Sequence, residues 1–165
     1  MRRFTMRVRA QSADPDDAFE RLSDFESYPR YAMSVRSVVR VPGATGEMAT
    51  EWTTDFRGGI LQWVEADRID PAAREIEFRQ LSGDLEMFDG RWGIEDDSPG
   101  RPVVHFTARF DLGIPTLEEV LEPIAEEALY ENIVAIVEGL FGGDVEVLEA
   151  YGSPAELDVG ERAGS

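Results

Sequence analysis

Apolar and polar positions alternate at the start of the chain. Phe4, Met6 and Val8 interleave with Arg3, Arg7 and Arg9, a period of two that predicts a strand. The period then lengthens. In SADPDDAFERLSDFESYPRY, Ala18, Phe19 and Leu22 form one short apolar stripe. Ser12 or Asp14 suits the helix N-cap, Pro15 suits the first helical position, and acids fill the first turn. Asp24 is placed to cap a second short helix that ends before Pro29. Six strand-like segments follow: MSVRSVVRV, GEMATEWTTDF, ILQWVEADRI, REIEFRQL, LEMFDGRWGIE and PVVHFTARFDL. Turn residues close each of them and the links are short, the pattern of an antiparallel meander.

Helical spacing returns at Leu117, Val120, Leu121, Ile124, Ala128, Leu129, Ile133, Ile136, Val137 and Leu140. Thr116 is the expected cap of this long helix. Pro123 should kink or split it near its start, and Gly142-Gly143 ends it. DVEVLEA reads as a short extension, and the small, polar YGSPAELDVGERAGS as disordered. The expected organisation is one domain over residues 1–150 and a disordered acidic tail over 151–165. The fold class is α+β: a seven-stranded antiparallel sheet curled around the long C-terminal helix, with two short helices after the first strand.

One segment resists a simple assignment. In LQWVEADRID, one face carries Leu61, Trp63, Glu65, Asp67 and Ile69, and the other Gln62, Val64, Ala66 and Arg68. A half-buried strand sorts polar from apolar residues by face, and this one mixes them on both. Either it is an edge, or one face lines a pocket that is partly apolar and partly polar.

Composition narrows the chemistry. At 165 residues and 42% hydrophobic, the chain suits one compact domain with a core. No apolar run reaches the ~18 residues of a membrane span. MRRFTMRVRA lacks the apolar stretch of a secretory signal, so a cytoplasmic protein is the plain reading. A formal charge of -18, from 34 acids and 16 bases, repels phosphate backbones and anionic headgroups. Nucleic acid and negative membranes are therefore not expected partners. Every base is arginine, so there is no lysine for a Schiff base, and without cysteine there is no thiol nucleophile. The single histidine, His105, cannot supply a two-His metal site, and no Gly-rich phosphate fingerprint is present. No metal or cofactor is expected. Carboxylate, tyrosine, amide and guanidinium groups remain, and these bind ligands and move protons.

Three motifs in order resemble the START-like (SRPBCC) superfamily, within it the cyclase/dehydrase branch of bacterial polyketide aromatase/cyclases. They are SDFESYPRY; LQWVEADRIDPAAREIEFRQLSGDLEMFDGRWGI; and RFDLGIP followed by a long helix containing ENIVAIVEGL. The resemblance covers roughly residues 4 to 141. It implies a helix-grip fold with a ligand cavity between sheet and helix. It also implies that Trp63, Glu65 and Asp67 look into that cavity, with Ile76, Phe78 and Gln80 on the next strand. Phe88 and Trp92, then Phe106, Ala108 and Phe110, follow on later strands, and Tyr28 lies near the mouth. The resemblance has departures. The relatives' cavity arginines correspond to Asp67 and Gln80 here, and a cavity tyrosine to about Val35, so fold likeness exceeds active-site likeness.

Glu65 and Asp67, two apart on one strand, would have at least one pKa raised in an apolar cavity by desolvation and mutual repulsion. There they could remove a proton alpha to a carbonyl and protonate a departing hydroxyl. The plainer reading is a solvated strand end. Trp52, Trp63, Phe88, Trp92, Phe106 and Phe110 form either an aromatic wall or ordinary core. His105, by strand parity, faces outward. Asn132 falls on the apolar face of the long helix, as a ligand contact or a structural hydrogen bond. The leading expectation is a cofactor-free polyketide cyclase/aromatase binding a hydrophobic or aromatic small molecule in a cavity of roughly 300–1,000 Å³. The alternative is a non-catalytic carrier of a hydrophobic metabolite, of the quinone- or lipid-binding type. Docking to polyketide synthase components and homodimerisation are left open.

Overall fold

A computed structural model describes residues 1–12, 14–44 and 46–154. β1 (Arg2–Arg9) leads into α1 (Pro15–Leu22) and a 3₁₀ segment over Phe25–Arg30. The meander follows: β2 (Val35–Pro42), β3 (Met48–Phe56), β4 (Gly59–Asp70), β5 (Glu75–Gly83), β6 (Met87–Ser98) and β7 (Arg101–Asp111). A 3₁₀ turn at Pro115–Leu117, the long α2 (Glu118–Phe141) and β8 (Glu146–Pro154) complete the chain. The strands form one antiparallel sheet in the order β2-β3-β4-β5-β6-β7-β1-β8.

Register explains the two faces. Phe4, Met6 and Val8 lie opposite Ala108, Phe106 and Val104, and all six are buried. The same face continues through Trp92 and Phe88 of β6, Ile76 and Phe78 of β5, and Trp63, Glu65 and Asp67 of β4. Each fully buried large apolar side chain stabilises the fold by about 1.5–3 kcal/mol. The outer face carries Arg3, Thr5 and Arg7 opposite Arg109, Thr107 and His105.

α2 lies closest to β1, β8 and α1 and buries Ile133, Ile136, Val137, Leu140 and Phe141. Its C-terminal half is fixed from two directions. Arg21 of α1 donates to the Leu140 carbonyl at 3.0 Å, satisfying one of the acceptors a helix end leaves open. Gly139 sits against Tyr31 so closely that an added Cβ would lie 2.2 Å from the ring. Gly142, at φ 91°, closes the helix in the left-handed conformation.

Several expectations need correction. The sheet has eight strands rather than seven. The eighth includes Tyr151–Pro154, a stretch whose composition reads as disorder. It forms because β1 would otherwise present a free edge, and β8 pairs along its length, with Arg7 and Arg9 bridging to Glu149 and Glu146. The rest of the expected tail, 155–165, lies outside the described residues. Asp14 caps α1 through the Asp16 amide. Asp24 makes no side-chain cap bond, and the 3₁₀ segment runs through Pro29. Thr116 does not cap α2 either: it lies in the 3₁₀ turn, and Leu117 occupies the N-cap. α2 continues through Pro123 without a break. Pro123 and Glu119 are both exposed, so the carbonyl that loses its amide partner is left to water.

Candidate active site

β4 answers the puzzle of its mixed faces. Trp63, Glu65 and Asp67 all turn inward and are buried, so polar groups enter the core by strand parity. Cross-strand pairing sets Trp52 opposite Trp63 and Thr50 opposite Glu65 on β3, and Gln80 opposite Glu65 on β5. The two indoles stack, 5.7 Å between centroids and 7° between planes.

The rings close a circuit. From Trp52 and Trp63 the contacts pass to Phe88 (5.4 Å), Phe78 (5.1 Å), Phe106 (5.9 Å) and Trp92 (4.7 Å). Tyr28 joins Trp92 at 6.1 Å to Trp52 at 5.8 Å and completes it. Such edge and offset contacts stabilise beyond the area they bury. These rings line the inner face of the sheet, where the resemblance implies a cavity. A cleft of about 250 Å³ opens between the turn at Ser23–Glu26 and the side chains of Met48 and Ile69. Met48 is the cross-strand partner of Asp67, so the cleft reaches the sheet beside the carboxylates.

Hydrogen bonds orient both acids. Trp63 Nε1 donates to Glu65 Oε1 at 2.9 Å. Trp52 Nε1 donates to Thr50 Oγ1 at 2.8 Å, and Thr50 Oγ1 donates to Asp67 Oδ2 at 2.6 Å. Asp67 Oδ1 and Gln80 Oε1 are buried with no partner among the described residues. Burial pushes Glu65 well above the usual carboxylate range; the neighbouring Asp67 adds to the rise, and the Trp63 donor opposes it. Burial raises Asp67 too, offset by the neighbouring Glu65 and by the hydrogen bond from Thr50. A proton held on Glu65 and directed at Asp67 Oδ1 would give that orphan oxygen its donor.

The other expected site residues fall as follows. Tyr28 is fully buried rather than at a mouth, and its hydroxyl donates to the Leu22 carbonyl. Burial, then the charges of Glu65, Asp67 and Asp24, push its pKa well up. Trp52, Phe88, Trp92, Phe106 and Phe110 are buried on the inner face. Gln80 is only half-buried, and its amide nitrogen is committed to the Leu85 carbonyl at 2.9 Å. Asn132 is half-buried on α2. His105 faces outward as parity requires, half-buried, with its pKa lowered by burial. Thr50 is the residue that sequence reasoning misses. It is completely buried, and only the β3–β4 register shows that it joins Trp52 to Asp67.

Fold and site together define a helix-grip α+β domain with a coupled carboxylate pair inside an aromatic core. The chain belongs to the family described as polyketide cyclase / dehydrase and lipid transport, whose model matches residues 12–137. Solved structures share the fold. An aromatase/cyclase, Zhui, from Streptomyces sp. R1128 is 22% identical with a TM-score of 0.71, covering 85% of this chain and 94% of its own. A START superfamily protein from Mycobacterium smegmatis is 18% identical with a TM-score of 0.72, covering 86% and 97%. A protein from Thermus thermophilus is 23% identical with a TM-score of 0.68, covering 81% and 93%. A search among curated proteins finds no match. Among the described residues, no helix is long and apolar enough to cross a membrane.

Proposed function

We propose that the chain binds a hydrophobic or aromatic small molecule among the inner-face rings and acts on it as a cofactor-free polyketide cyclase/aromatase. The observation that carries this reading is the buried, coupled pair of Glu65 and Asp67. In the proposed step, Asp67, the more readily ionised member, takes a proton alpha to a ketone. The resulting enolate carbon attacks a second carbonyl, forming one carbon–carbon bond. Glu65 in its acid form protonates the oxygen left on that carbon. Glu65, now ionised, takes a second alpha proton while the protonated Asp67 gives its proton to the hydroxyl, which leaves as water; a double bond forms and both carboxyls return to their starting states. The sequence is redox-neutral. The ligand lies against these rings, and the cleft beside Met48 is the entry this reading uses.

A second reading, a non-catalytic carrier, draws support from Gln80, which stands where the relatives' cavity arginine is expected. Docking to polyketide synthase components and self-association remain part of the proposal rather than of the fold.

Native mass spectrometry of the purified chain identifies a retained ligand, and Glu65→Gln then separates the readings. Under the catalytic reading the variant retains the ligand and forms no cyclised, dehydrated product. Loss of retention equal to the loss of turnover would make Glu65 a binding or folding residue and remove it from the chemistry.

A further inference from the structure

We propose that the outer face of the sheet carries a second site, for a phosphate-bearing small molecule, seated over the Thr5–Thr107 hydroxyl pair between Arg3, Arg91 and Arg109. A groove of about 1050 Å³ is lined by outward-facing residues of β1 and β4–β7 together with Met48, Asp67, Ile69 and Phe78. Five of the chain's 16 arginines line it: Arg3, Arg68, Arg79, Arg91 and Arg109. Glu47, Asp67, Glu77 and Asp89 share the lining, so in a molecule of formal charge -18 this groove lacks the chain's acidic excess.

Register places the groups. Arg3 on β1 lies directly opposite Arg109 on β7, and Thr5 opposite Thr107. Thr107 is in turn the partner of Arg91 on β6. Like charges facing each other across adjacent strands destabilise a sheet. Asp89, 3.4 Å from Arg109, offsets part of this. Glu77 and Glu47 pair with the outlying Arg68 and Arg79, at 2.6 and 3.0 Å. Arg3 and Arg91 are exposed and have no ion pair among the described residues. The Thr5 and Thr107 hydroxyls are 3.2 Å apart. One proton suffices for the bond between them, which leaves the other hydroxyl free to donate outward.

Arg3 and Arg91, which have no ion pair among the described residues, Arg109 with its partner Asp89, and a hydroxyl able to donate outward put several donors on one stretch of this face, with Glu77 opposite Arg91 in register. A tetrahedral oxyanion with several acceptor oxygens matches that set, because guanidinium forks bind phosphate two bonds at a time. A single carboxylate would satisfy one fork and leave the others. The groove extends past this seat to Ala66 and Ile69, giving the organic part of such a ligand an apolar surface.

The test is calorimetric titration of the full chain with inorganic pyrophosphate at low ionic strength, with chloride at matched ionic strength as control. Saturable binding is expected, falling with added salt. Arg91→Ala should weaken it about tenfold, the scale of one charge-assisted hydrogen bond, and Arg3→Ala with Arg91→Ala should abolish it. Arg91→Lys, which keeps the charge and loses the fork, should weaken it as well, and serves if the double variant does not fold. Arg36→Ala, at a guanidinium paired with Asp55 on another part of the sheet, and Glu65→Gln, inside the core, should leave binding intact. Absence of binding, or binding unchanged in the Arg3/Arg91 variant, overturns the site. So does preferential binding of an acidic peptide over pyrophosphate, which would make the groove a protein-docking surface.

Discussion

Trp63 donates its indole proton to Glu65, two residues along the same strand, at 2.9 Å. β4 thus supplies both an acid and the donor that orients it, without help from any other strand. The bond favours the charged form, yet burial outweighs it and Glu65 stays well above the usual carboxylate range.

The sign of that shift predicts a pH dependence. A carboxyl whose folded pKa exceeds its unfolded value of about 4.3 binds more protons in the folded state. Its contribution to stability is complete below that value and fades as pH rises through the folded pKa. Glu65→Gln removes the dependence, and its amide oxygen still accepts from Trp63. Thermal unfolding should therefore show the variant close to wild type at about pH 4 and increasingly more stable than wild type at alkaline pH. A constant difference across the range would mean that Glu65 is not held protonated.

Thr50 predicts a different kind of loss. Its hydroxyl accepts from Trp52 and donates to Asp67. Thr50→Val keeps the shape and strands a buried indole N–H and a second oxygen of a carboxyl that already has one unpartnered. Each unsatisfied group costs about 1–3 kcal/mol. Urea unfolding should show a loss of at least that size, and Thr50→Ser should recover most of it. A loss below about 0.5 kcal/mol would mean that water replaces the hydroxyl.

These two residues also show what is legible in the sequence. The inward turn of Trp63, Glu65 and Asp67 follows from a period of two once a family likeness chooses the face. Thr50 carries no signal, because threonine is ordinary in a strand and its role exists only through register with β4. β8 escapes the pattern for a related reason. An edge strand half open to water need not alternate, and Tyr151 and Glu149 are both exposed there. Arg3, Arg91 and Arg109 are far apart in the chain, so no local pattern can bring them together. Pro123 misleads in the opposite direction: a proline breaks a helix when its lost acceptor is buried, and here that acceptor's residue is exposed.

β8 leads to the third prediction. Its Arg7–Glu149 and Arg9–Glu146 bridges involve partly exposed side chains and contribute little. Its main effect is to cover the β1 edge. A chain ending at Gly143 should expose that edge and associate through it, read by light scattering as dimers or larger species. A truncated chain that stays monomeric and melts like wild type would show β8 to be dispensable.

Gly93 and His105 supply the last. They are cross-strand partners, and the imidazole lies over the glycine so closely that an added Cβ would fall 2.2 Å from Nε2. Burial against the sheet lowers the histidine pKa below its ordinary value of 6.5. Gly93→Ala must push the ring toward water, at an overpacking cost of about 1–3 kcal/mol. Its pKa should then rise toward 6.5 in an NMR titration of the single histidine. A depressed histidine makes the folded state bind fewer protons, so wild type should lose stability as pH falls through the unfolded pKa of about 6.5 toward the folded value. In the variant that slope should shrink. An unchanged titration with unchanged stability would mean that the ring does not rest on Gly93, and the outer face would lose one of its close contacts.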